Sequence, residues 1–100
     1  MEWIAFVKRE NAKKAEEAIK TDFDVAAKQS ITIRDAKSLG LNYDGSFFLI
    51  DGSDVGVNKC KELVKEFAFE IKTDDIKKAR DKIKQEEEAA AEGMGGIFAI

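Results

Sequence analysis

Ser46–Phe67, SFFLIDGSDVGVNKCKELVKEF, decides the fold. It opens with Phe47, Phe48, Leu49 and Ile50, an apolar run too short for a helix and closed by Asp51-Gly52, the pattern of a strand buried on both faces. After the turn, Val57, Cys60, Leu63, Val64 and Phe67 recur at helical spacing and form one apolar stripe. A stripe of that kind needs a sheet to cover. Ser53 or Asp54 is the expected helix cap.

Working outward, Trp3–Lys8 (WIAFVK) sets Trp3, Ala5 and Val7 on one face and Ile4 and Phe6 on the other, so it reads as a second centrally placed strand. From Asn11 a helix is expected, with Ala12, Ala15 and Ile19 inward, a Glu16–Lys20 ion pair outward and Phe23 anchoring its end. Ser30–Ala36 (SITIRDA) has Ile31 and Ile33 opposite Thr32 and Arg34, which marks an edge strand. The turn formers Gly40, Asn42, Asp44 and Gly45 link it to the Phe47 strand. Ala68–Lys72 (AFEIK) alternates as a second edge, and Thr73 with Asp74 and Asp75 opens a last helix.

Strand, helix, strand, strand, helix, strand, helix, with doubly apolar first and third strands, predicts an α+β, ferredoxin-like βαββαβ sheet of order 4-1-3-2 plus an additional C-terminal helix. Right-handed crossovers put the first two helices on one face. The other face is apolar as well, and the expected cover is Ile76, Ala79 and Ile83 of the last helix, a homodimer through the sheet face being the competing solution. Residues 1–85 read as the domain with the start of that helix, and residues 86–100 as an acidic, alanine-rich helix end and apolar tail.

Composition removes several functions. The 100 residues carry 17 bases and 20 acids, interspersed, for a net charge of −3, which argues against nucleic-acid or anionic-membrane partners. No histidine is present, so Ser-His-Asp, Cys-His and zinc-histidine chemistry are excluded. One cysteine forms no internal disulfide, and Cys60 sits on an apolar stripe where a thiol acts as a small hydrophobe. With no signal-peptide layout at the N-terminus and no long apolar run, the reading is a cytoplasmic, non-enzymatic protein without a cofactor.

Three stretches invite a site. Residues 44–51, DGSFFLID, lie where the RNA recognition motif carries its stacking aromatics, but Asp44, Ser46 and Asp51 replace the basic and aromatic positions. Residues 51–56, DGSDVG, join strand to helix without the GxxxxGK[ST] spacing, and Asp51 and Asp54 repel phosphate. Asp44, Asp51 and Asp54 form the alternative site: a small regulatory domain holding a divalent cation or small ligand, against which turn and cap duties account for the same residues.

The third is the C-terminus. Lys77, Lys78, Arg80, Lys82 and Lys84 precede Glu86, Glu87, Glu88, three alanines, Glu92 and the apolar end GMGGIFAI. Acids near a helix C-terminus oppose its dipole, so fraying into a tail is expected. Residues 85–98, QEEEAAAEGMGGIF, resemble the C-terminal tail of archaeal ribosomal stalk proteins. That resemblance implies a tail whose apolar side chains enter a groove of a translational GTPase as a short helix. It would make Met94, Ile97 and Phe98 the anchors, with Glu86, Glu87, Glu88 and Glu92 steering the approach. The alternative is that Ile97, Phe98 and Ile100 fold back onto the apolar sheet face.

Overall fold

The computed structural model describes the backbone of residues 1–99 and their side chains apart from residue 27 and residues 89–99. The elements are β1 (Glu2–Lys8), α1 (Arg9–Lys20), β2 (Ser30–Asp35), β3 (Gly45–Asp51), α2 (Asp54–Val64) and α3 (Thr73–Ala99). Short 3-10 turns at Ala26–Lys28 and Lys37–Leu39 flank β2. The three strands form one antiparallel sheet of order β1-β3-β2, with β3 in the middle.

Both faces of the sheet are covered, as the alternation in β1 and β3 requires. On one side Val7, Phe48 and Ile50 meet Ala15 and Ile19 of α1 and Val57, Cys60 and Val64 of α2, all buried. On the other, Phe6, Phe47 and Leu49 meet Ala36, Leu39, Ala79 and Ile83, also buried, with Ile4, Leu41, Tyr43, Ile71 and Ile76 at the margin. The first half of α3 is therefore the cover for the second face, together with Leu39.

The α2 cap is Ser53, whose hydroxyl oxygen accepts from the Gly56 amide at 3.1 Å. Gly40 takes φ 77°, the left-handed conformation that ends the turn at Leu39 and suits glycine. Glu16 and Lys20 pair at 2.7 Å, as their spacing predicts.

Several expectations are corrected. The fourth strand of the 4-1-3-2 order does not form. Ala68 makes an isolated antiparallel bridge to Val7, and the Phe69 amide donates to the Phe6 carbonyl at 2.8 Å. The reason lies in the ends of the segment. The Ala68 amide is still bonded to Val64 at the close of α2, while the Lys72 carbonyl already accepts from Asp75 and Ile76 as α3 begins, so only Phe69–Ile71 lie between the two helices, and they make no ladder beyond the single bridge. For the same reason it is Lys72, not Thr73, whose carbonyl starts the last helix. Helix α1 begins at Arg9, two residues ahead of Asn11. Phe23 is 74% exposed and anchors nothing. The backbone of helix α3 continues past the alanines and three glycines to Ala99, where a tail was expected.

Candidate functional site

The helix that carries the tail is tied to the sheet along its first half. Ala79 and Ile83 supply the buried contacts, and basic residues on either side of that stripe find partners at the rim. Arg80 bonds Glu2, Lys84 lies 3.3 Å from Glu2 and 3.9 Å from Asp51, and the Lys82 ammonium donates to the Leu39 carbonyl at 2.6 Å. Glu2 sits between two cations. The Arg80 hydrogen bond, opposed by partial burial and supported by Lys84, holds its carboxyl below the ordinary glutamate value. Much of the basic stretch therefore serves the fold.

The next turn of α3 reaches β2. Arg34 pairs with Glu86 at 3.2 Å and the Thr32 hydroxyl donates to Glu87 at 3.0 Å. These two acids, expected to steer a partner, bond to the body at its surface. Glu88 is exposed, and it is the last residue whose side chain is described. Among the other expected tail residues, the side chains of Glu92, Met94, Ile97 and Phe98 lie outside the described residues.

The acidic alternative is dispersed by the strand it flanks. Asp44 precedes β3 and Asp51 ends it, so seven strand residues, roughly 20 Å of extended chain, separate the two ends. Asp44 pairs with Arg9 at 2.6 Å, and Asp54 lies 3.8 Å from the N-terminal ammonium. Among the described residues, no group of three or more acidic or cysteine side chains is arranged to hold a metal ion.

The turn between β3 and α2 is filled by a residue that sequence reading missed. Gln29 lies across Gly52 and Gly56; its side-chain oxygen accepts from the Ser53 amide at 3.2 Å and its amide nitrogen donates to the Val25 carbonyl at 2.9 Å. With the Gly56 amide also taken by Ser53, two donors that an anion would need are satisfied internally. Nothing local to Gln29 announces this role; the signal was the pair of glycines opposite it.

A groove of about 440 Å³ opens where β1 meets α1, lined by Phe6, Lys8, Arg9, Tyr43, Asp44 and Phe69, with Glu10 at its rim. The Lys8 ammonium stands 4.0 Å from the centre of the Phe69 ring. The Tyr43 hydroxyl donates to Asp75, a bond that, with some burial, pushes the phenol up from its usual value. The Asp44 hydrogen bond likewise pushes the Arg9 guanidinium up. Cys60 is fully buried, and burial followed by the charge of Asp22 raises its thiol above the ordinary value, the wrong direction for a nucleophile.

No family model matches the chain, and no curated protein or solved structure matches it significantly. No helix of the described residues is long and apolar enough to cross a membrane.

Proposed function

We propose that this protein is a small non-enzymatic accessory protein that presents its C-terminal apolar segment to a protein partner. One observation carries the reading: the second face of the sheet is closed by Leu39, Ala79 and Ile83, with Tyr43, Ile71 and Ile76 beside them, and among the described residues none that closes it comes from beyond Ile83. This cover supports a tail turned to a partner over one in which Ile97, Phe98 and Ile100 fold back onto the sheet.

The spacing of the tail supports the same reading. Met94, Ile97 and Phe98 stand at i, i+3 and i+4, the anchor pattern of a helix lying in a groove. Met94 follows Ile76 by 18 residues (94 − 76), about five turns at 3.6 residues per turn, so a helix that leaves the sheet carries its apolar side onward in phase. Glu88 and Glu92 are the acids left to favour a basic groove rim. The resemblance to archaeal ribosomal stalk tails names the first partner class to try, a translational GTPase.

The body is read as a ferredoxin-like sheet with an incomplete fourth strand, serving as the mount for α3. The test is a titration of a purified archaeal elongation GTPase with the full chain and with a chain ending at residue 92. Binding by the first and loss of at least about tenfold by the second is expected, since two or three apolar anchors are worth several kcal/mol. Equal binding by both sinks the tail reading.

A further inference from the structure

The outer edge of β1 is a strand edge with the composition of a strand interior. Met1 and Gly52 exchange both backbone hydrogen bonds, and the Arg9 amide donates to the Asp44 carbonyl. Since bonded pairs alternate along an antiparallel ladder, the odd residues of β1 turn their amides and carbonyls toward β3, and the even residues Glu2, Ile4 and Phe6 turn theirs outward. The bond from the Phe69 amide to the Phe6 carbonyl agrees with that parity. The Ile4 amide and carbonyl and the Phe6 amide take no backbone partner from outside the sheet among the described residues.

Next to this edge runs the segment Phe69–Ile71. Between it and Trp3–Phe6 lies a cavity of about 250 Å³, also bordered by Ile76. Phe69 is 47% exposed, although its ring lies 6.4 Å from that of Phe6, and Ile71 is half-buried at the margin of the second core. The bridge of Ala68 to Val7 sets a register: continued antiparallel, it places Phe69 opposite Phe6, Glu70 opposite Ala5 and Ile71 opposite Ile4. In that register the outward groups of Phe6 and Ile4 meet those of Phe69 and Ile71, and the apolar side chains of all four fall on the face that α3 covers.

We propose that Phe69–Ile71 is a strap that closes onto β1 as a short fourth strand, the single bridge at Ala68 being its hinge. Closure forms three further backbone hydrogen bonds: Phe6 amide to Phe69 carbonyl, Ile71 amide to Ile4 carbonyl, and Ile4 amide to Ile71 carbonyl. It fills the cavity beside Ile76 and draws Phe69 out of water. It also fixes Lys72, the residue from which α3 starts, so the strap sets the footing of the helix that carries the tail. The inference concerns the body of the protein and does not depend on what the tail binds.

The test is solution NMR of the full chain at two protein concentrations, with Ile71→Pro as the variant that removes the donor. In the proposed pairing Ala5 and Glu70 form a non-hydrogen-bonded pair, so their Hα atoms give a cross-strand NOE. The Ile4 and Ile71 amides then exchange at least about tenfold more slowly than the outward-pointing Glu70 amide. Ile71→Pro is expected to speed Ile4 exchange to the Glu70 rate. Absence of the NOE with fast exchange at Ile4 and Ile71 overturns the proposal. So does Ile4 protection that survives Ile71→Pro or grows with concentration, since a second copy would then occupy the edge.

Discussion

Arg34 on β2 and Glu86 on α3 are joined by an ion pair at 3.2 Å, fifty-two residues apart in the chain. With the Thr32–Glu87 bond beside it, this pair marks where α3, having crossed from Glu2 on β1, passes over the far edge of the sheet. Both side chains are more than 40% exposed, so the pair positions the helix more than it stabilises the fold. Arg34→Ala is expected to cost no more than about 1 kcal/mol by urea unfolding.

Ile83 is the opposite case. It is fully buried between the two halves of the second core, and Ile83→Ala is expected to cost about 2–5 kcal/mol, since the sheet beneath cannot collapse into the space. Urea unfolding of the two variants side by side measures whether apolar burial or the rim ion pairs hold α3 down.

Gly45 tests the close approach of β3 to β1. A Cβ there would fall inside contact distance of the Val7 carbonyl oxygen and the Phe6 ring, and the Val7 backbone, paired with Ser46 on one side and bridged to Ala68 on the other, has little room to shift. Gly45→Ala is expected to destabilise by more than about 2 kcal/mol. Gly56→Ala meets the flexible side chain of Gln29 instead, so its cost should shrink when combined with Gln29→Ala. A double-mutant cycle in urea checks the coupling; additive costs would show that Gln29 does not fill the turn.

Much of this architecture was written in residue patterns, and the part that was not has a physical cause. Phe47–Ile50 announced the central strand because both of its faces are apolar, and Ile76, Ala79 and Ile83 announced a helix lying on the sheet; Trp3–Val7, apolar on both faces as well, was expected to be central but lies at the edge of the three-stranded sheet, because the segment that would flank it makes a single bridge. Phe69 and Ile71 alternate like a strand, yet whether they pair depends on how α2 ends at Val64 and where α3 begins at Lys72, which local alternation does not encode. Gln29 was invisible because its role is set by two glycines more than twenty residues away. Asp44 and Asp51, neighbours in sequence terms, were parted by the length of the strand between them.

The Glu2 carboxyl supplies a pH dependence. Its folded pKa is depressed below the reference value of 4.5 by Arg80 and Lys84, so its contribution is fully present above the unfolded pKa and is lost as pH falls through the folded pKa. Being partly exposed, the group should contribute under about 1 kcal/mol. Wild type should lose more stability than Glu2→Gln between neutral pH and pH 3, and parallel urea midpoints for the two proteins would contradict the assignment.

The most direct test of a partner-presenting tail is calorimetric titration of a purified archaeal elongation GTPase with three proteins: the full chain, the chain ending at residue 92, and Phe98→Ala. The account predicts saturable binding by the full chain and a loss of at least about tenfold in both altered proteins, with their urea midpoints unchanged. No binding by the full chain, or equal binding by all three, would contradict it.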